Sequence, residues 1–208
     1  MLNLAVRPVL TSPRLVLRAP RKEDAGAIAA LANDWEVARR LTRLPHPYTL
    51  DDAVFFLEEI VPKELVWIIE SSAELVGVAG LTVDADGTSV ELGYWLGRAF
   101  WGHGYATEAA GLVIDYAFDR AGARACPAKV GTGFAKKDML KQKVSLITAG
   151  CFTDNVRSLR VLRKLGFTIK GESLRFCMAQ QRELPHYDLA LARVGWVELL
   201  GETQHRPE

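Results

Sequence analysis

Cysteine is scarce in this chain. Three occur in 208 residues, Cys126, Cys151 and Cys177, an odd number with no CxxC spacing. That pattern favours free thiols in a reducing compartment over a disulfide framework or a cysteine zinc site. Histidine is nearly as rare. His46, His103, His186 and His205 are scattered without ligand spacing, so no metal is expected. Neither sign of charge is in excess: 26 Lys and Arg face 25 Asp and Glu, a net +1. A broad nucleic-acid or membrane footprint needs far more positive charge than this, so neither partner is expected. No apolar run approaches the roughly 18 residues of a membrane span. The stretch from Met1 to Pro20 carries Arg7, Pro8, Pro13 and Arg14 and so lacks a signal-peptide apolar core. The expectation is a soluble cytoplasmic protein.

What is present is ordinary globular usage, 49% apolar and 25% charged residues. A chain of this length can bury a sizeable core. One domain over 1–200 with a polar, frayed tail over 201–208 is the simplest division. Thr11–Arg18 reads as a first strand, and Glu23–Asn33 as an alanine-rich helix that Asp34–Arg40 continues or follows. Pro45-His46-Pro47-Tyr48 breaks the pattern. Thr49-Leu-Asp-Asp52 is a capping box that opens another amphipathic helix. Leu65–Ile69 and Glu74–Leu81 form a hairpin, and Asp84–Gly87 is a turn leading to the next strand.

That next strand opens the most informative stretch. In Val90–Leu96, Val90, Leu92, Tyr94 and Leu96 share one face, while Glu91, Gly93 and Trp95 share the other. From Thr107 to about Arg120, Ala109, Ala110, Val113, Ile114, Ala117 and Phe118 fall at helical spacing. Between them stands Trp101-Gly102-His103-Gly104-Tyr105-Ala106-Thr107. Two glycines at a helix N-terminus let backbone approach an anion, and the free N–H groups and helix dipole favour it. A P-loop is excluded because no Gly-Lys-Ser/Thr occurs there. A dinucleotide fingerprint is disfavoured because Thr107 stands where its third glycine belongs. A tight turn without a ligand is the plain reading of a lone Gly-x-Gly. A second motif follows the strand Val144–Phe152, which a helical crossover makes parallel to the Glu91 strand. It runs from Thr153 to Phe167, with Asp154 or Asn155 as helix cap, Ser158 on the first turn, and Gly166 as the closing C′ glycine.

The two motifs together closely resemble GNAT-superfamily N-acetyltransferases, and within them the Rim-type branch that contains ribosomal-protein N-terminal acetyltransferases. The resemblance extends loosely from Thr11 to Trp196. It implies an α+β fold, the acyl-CoA N-acyltransferase fold. Its sheet is mixed and mostly antiparallel, with splayed parallel central strands flanked by helices. It also implies acetyl-CoA as co-substrate and an amine acceptor, either a protein N-terminus or a small molecule, for a monomer or homodimer. The coenzyme-binding residues so implied are Trp95, Leu96, Arg98, Trp101, Gly102, His103, Gly104, Tyr105, Ala106, Thr107, Asn155, Ser158 and Leu162. Glu91 takes the position of the family's strand glutamate and is the candidate base, against the plain reading of a solvent-facing carboxylate. The segment Arg39–Tyr48 becomes the acceptor rim, although packing suffices to explain Trp35 and Tyr48.

The chain departs from the family in three places. Ala99 stands where Arg or Gln is usual, three residues before the first glycine, with Arg98 one position early. Leu162 stands where many members carry a tyrosine that protonates the leaving thiolate, which leaves Ser158 as the candidate acid. A lysine-rich insert over 126–143 lengthens a connection that is normally short; a solvated loop far from the chemistry is expected there. An acyl-CoA-binding regulatory module without turnover is the competing function.

Overall fold

The computed structural model describes residues 7–83, 89–118 and 144–204, with side chains through residue 201. The Asp84–Gly87 turn, the 126–143 insert, Cys126 and His205 lie outside the described residues. The chain builds one mixed sheet of eight strands in the order β1-β2-β3-β4-β5-β6-β8-β7. The strands are β1 (Leu10–Thr11), β2 (Val16–Arg18), β3 (Leu65–Ser71), β4 (Glu74–Val83), β5 (Ser89–Leu96), β6 (Leu146–Phe152), β7 (Thr168–Cys177) and β8 (Arg182–Ala192). Every neighbouring pair is antiparallel except β5 and β6, which are parallel as the crossover requires. The segment Thr11–Arg18 is two strands rather than one, because Ser12 turns the chain by accepting a bond from the Leu15 N–H at 3.1 Å.

Helices cover both faces. One layer holds α1 (Ala25–Ala32), α2 (Trp35–Ala38) and α3 (Leu50–Phe55), the last running into a π-helical turn over Phe56–Ile60. Asp34 caps α2 by accepting from the Glu36 N–H at 2.7 Å. The capping box of α3 is reciprocal, with Asp52 N–H to Thr49 Oγ1 at 3.2 Å and Thr49 N–H to Asp52 Oδ2 at 2.7 Å. This layer buries Ala25, Ile28, Ala32, Tyr48 and Ala53 against Val66, Ile68 and Val78, with Trp95 packed beside them. Trp35 stays half-exposed, edge-on to His46.

The other layer holds α4 (Tyr105–Ala117), α5 (Val156–Lys164) and α6 (Arg193–Gln204). The α4 stripe Ala109, Ala110, Val113, Ile114 and Ala117 is buried as its spacing predicts, against Val90, Leu92, Trp67 and Ile147. Two elements carry no clear sequence signal. Strand β7 is one: it pairs with β8 from Thr168↔Ala190 to Cys177↔Arg182, and nearly all of its side chains face solvent. Helix α6 is the other, and it runs into the stretch expected as a polar tail. Buried Trp196 pins it to α4 by donating from Nε1 to Asp115 Oδ1 at 2.9 Å.

Candidate active site

The parallel ladder between β5 and β6 runs only from Ser89↔Leu146 to Leu92↔Ala149. Beyond it, β5 stays with β4 as far as Leu96↔Gly77, and β6 stays with β8 as far as Phe152↔His186. The strands therefore part, and the backbone groups that Gly93–Leu96 turn toward β6 lie outside any ladder. A cavity of about 1050 Å³ fills this gap and reaches both sides of the sheet.

One end of the cavity is the strand–helix turn. Gly102 and Gly104 have φ of 85° and 80°, a left-handed conformation that disfavours any side chain. A Cβ at Gly102 would meet nothing within 4 Å, and one at Gly104 only Arg14 Nη2 at 3.4 Å. The space in front of the turn is open. Gly104 is the N-cap of α4 and makes no side-chain cap bond, so the first N–H groups of the helix are left to a ligand. Arg14 braces the turn, donating to Glu108 Oε2 at 2.8 Å and His103 O at 2.9 Å. Trp101 anchors it by donating from Nε1 to Leu96 O at 2.9 Å.

Of the residues named from sequence, Glu91, Trp95, Leu96, Trp101, Gly102, Gly104, Tyr105, Ala106, Thr107, Asn155, Ser158 and Leu162 line the cavity. Arg98 and His103 do not. Arg98 lies 3.9 Å from Asp34, with most of its side chain exposed. Two other cations lie where Arg98 does not. The guanidinium groups of Arg157 and Arg40 lie over the Trp101 ring at 5.0 and 5.8 Å, and both residues line the cavity. Sequence reasoning missed them, since nothing in their local pattern distinguishes them from surface arginines.

Asn155 caps α5 by accepting the Ser158 N–H at 3.2 Å. The helix closes with Phe167 N–H to Leu162 O and Gly166 N–H to Arg163 O, each at 3.0 Å, around Gly166 at φ 85°. The Ser158 hydroxyl lies 3.0 Å from the Tyr94 hydroxyl, a bridge from α5 to β5 across the gap. Burial pushes the Tyr94 phenol well above its ordinary range, and the Ser158 bond offsets only part of that. Burial likewise pushes the Cys151 thiol up to about 11, partly offset by a bond to Ser158. Both groups are therefore protonated at neutral pH. Leu162 is 1% exposed, and its side chain belongs to the core as much as to the cavity wall.

The opposite mouth carries Glu91, exposed on the face it shares with Gly93 and Trp95. Leu41 to Pro45 and Tyr48, from the segment read as the acceptor rim, also line the cavity. The segment is tied to the turn between β7 and β8 by Met178 N–H to Thr42 O at 3.1 Å and Gln180 Nε2 to Arg39 O at 3.0 Å. Arg43 pairs with Glu64 at 2.7 Å. Buried His186 also lines the cavity, with Nδ1 3.2 Å from Asp188 Oδ1.

Comparison with known proteins agrees with this geometry. The sequence model of the acetyltransferase (GNAT) domain matches residues 14–168. The uncharacterized N-acetyltransferase YoaA of Bacillus subtilis (strain 168) is 28% identical over 172 residues, covering 79% of this chain and 85% of that protein. The crystal structure of a putative acetyltransferase from T. thermophilus superposes with a TM-score of 0.74 at 20% identity, covering 98% of this chain and 99% of that one. Spermidine N-acetyltransferase from Vibrio cholerae, solved with CoA and spermine, superposes with a TM-score of 0.69 at 17% identity, covering 89% and 99%.

Proposed function

The chain belongs to the GNAT acetyltransferase family, and from that premise we propose that it moves the acetyl group of acetyl-CoA to a primary amine within a ternary complex. The observation that carries the reading is the parting of β5 and β6 after Leu92↔Ala149, opposite two left-handed glycines at the start of α4. A slot with free helix N–H groups at one end and unpaired strand edges along its length suits a phosphate-ended, amide-containing arm. The N–H groups after Gly102 and Gly104 hold the pyrophosphate. Arg40 and Arg157 supply the positive charge that Ala99 does not. The free edge of Gly93–Leu96 bonds the arm and the carbonyl oxygen as it becomes an oxyanion.

An ammonium group is no nucleophile, so the acceptor must lose a proton before attack. Glu91 takes a proton at the mouth opposite the pyrophosphate turn. The leaving thiolate, with a parent pKa near about 8.5, gains from a nearby donor. Ser158 donates to it, and the protonated Tyr94 phenol behind Ser158 keeps that hydroxyl oriented. On the Rim-type reading the acceptor is a protein N-terminus, and a small-molecule amine is the other class.

The test is release of free thiol from acetyl-CoA across peptides with free N-termini, spermidine and amino acids. Release with one class identifies the acceptor. Coenzyme binding in calorimetry with no release from any amine would instead favour a regulatory acyl-CoA-binding module.

A further inference from the structure

We propose that His186, oriented by Asp188, is a second proton acceptor for the acceptor amine, working beside Glu91; this rests on the acetyl-transfer reading above. The sheet register carries the first part of the argument. Glu91 is the Cα partner of Thr148 on β6, and side chains two residues apart on a strand share a face. Gly150 and Phe152 therefore sit on the face of Glu91. Their partners across β8 are Asp188 and His186. All three titratable groups thus emerge on one face of the sheet, at the mouth where the acceptor enters.

The second part is the seat of the ring. A Cβ on Gly150 would lie 2.0 Å from His186 Cε1 and 2.7 Å from Nε2, so the imidazole occupies space that only glycine leaves open. Phe152 meets it edge-on at 5.7 Å and 82°. Nδ1 is 3.2 Å from Asp188 Oδ1, which assigns the Nδ1–H tautomer and leaves the Nε2 lone pair for a ligand. The charged groups facing the ring are Asp188 on its own strand, Arg175 on β7 and Glu91 on β5. Burial, aided by Arg175, lowers the imidazole pKa against the opposing pull of the Asp188 bond and Glu91, so the ring is neutral at neutral pH.

Two acceptors match the proton count. An ammonium acceptor loses two protons from nitrogen on its way to an amide. In the first step an N–H bond of the ammonium breaks, its electron pair stays on nitrogen, and the proton bonds Nε2 while Asp188 stabilises the imidazolium. The amine lone pair then bonds the thioester carbonyl carbon, and the C=O π pair moves to oxygen, to re-form the double bond when sulfur leaves. Glu91 takes the second proton as the C–S bond breaks and the thiolate leaves with its electron pair. One of the two protons taken from nitrogen goes to the thiolate sulfur and the other leaves to solvent.

The test uses the full-length protein with acetyl-CoA and, in parallel, spermidine and a peptide with a free N-terminus. His186→Gln is expected to keep melting temperature and acetyl-CoA affinity, and to lower turnover about 10²-fold at neutral pH. The acidic limb of the kcat/KM profile should change shape with it, leaving only the part that Glu91 and the amine contribute. Gly150→Ala should give the same deficit with the histidine present, by displacing the ring. Nitrogen NMR of the wild-type imidazole should report the Nδ1–H tautomer. Undiminished turnover in His186→Gln, or an Nε2–H tautomer in the wild type, would overturn the proposal. Absence of thiol release from the wild type with both amines defeats the acetyl-transfer reading itself, and this proposal with it.

Discussion

Replacing Gly104 by alanine separates the cost of folding the pyrophosphate turn from the affinity it provides. Gly104 has φ of 80°, and an L-residue in the left-handed region costs about 1–2 kcal/mol. The added Cβ would touch only Arg14 Nη2 at 3.4 Å, the movable end of a long side chain, so no steric term adds to that strain. For a domain of this size each kcal/mol is roughly 2–4 °C of melting temperature, so the variant should remain folded and melt about 2–8 °C lower. Binding is affected more. The methyl group stands in the open space before the helix N–H groups and keeps phosphate oxygens from reaching them. Each hydrogen bond to a charged group is worth about 1.5–3 kcal/mol. Losing two weakens acetyl-CoA binding by about 3–6 kcal/mol, roughly 10²–10⁴-fold. The assay is calorimetry with acetyl-CoA beside a thermal melt on the same preparation. Gly26→Ala is the control: it lies on α1 with nothing within 4 Å of its Cβ, and should leave affinity alone. A folded Gly104→Ala protein that binds acetyl-CoA like the wild type would refute the assignment of this turn.

Glu91→Gln should leave coenzyme affinity intact and lower turnover by about 10²–10⁴-fold, measured as thiol release below the pKa of the amine; an unchanged rate would assign the proton to solvent. Ser158→Ala should lower turnover about tenfold, one hydrogen bond's worth, and Tyr94→Phe should lower it too, because the serine then loses its orienting partner. A lowered melting temperature with full turnover would make Ser158 purely structural. Asp24, buried beneath Arg18 at 2.7 and 2.8 Å, supplies an acid-sensitivity prediction. Burial raises its pKa, but the Arg18 and Arg21 contacts outweigh that and hold it below the usual 3.8. A depressed folded pKa gives stability that is complete above the unfolded value and lost as pH falls through the folded one. Melting temperature should therefore drop below about pH 4, and Asp24→Asn should reduce that drop while costing about 1.5–3 kcal/mol at neutral pH in thermal melts, since Arg18 keeps Glu70 at 2.7 Å.

The parts of this fold that were legible in the sequence are those whose signals are local. Alternation over Val90–Leu96, the α4 stripe, and the caps at Thr49, Asn155 and Gly166 each fit within about a dozen residues, and each appears in the structure as read. Strand β7 was illegible because it is an edge strand with solvent on most sides, which removes the apolar alternation that marks a half-buried strand. Helix α6 is held by a bond from Trp196 to a residue 81 positions earlier, a partner no local window contains. The site divides the same way. Its glycines and its capped helix were readable, but the Tyr94–Ser158 bridge spans 64 positions, and His186 means little without Gly150 opposite it.

The parted strands also bind together two quantities that are usually measured separately. Along the gap the ladder between β5 and β6 stops at Leu92 and Ala149, and the groups that Tyr94 turns toward β6 lie outside it. Any molecule lying there finishes the sheet as a ninth strand would, and so acts as part of the folded state. Its concentration then enters the unfolding equilibrium directly: a ligand at a hundred times its Kd adds about 2.7 kcal/mol. Amides of Tyr94 and Leu96, which alternate with those bonded to β4, should exchange with solvent rapidly in the free protein and slowly in the loaded one. The lifetime of this protein in a cell would then follow the supply of its own substrate.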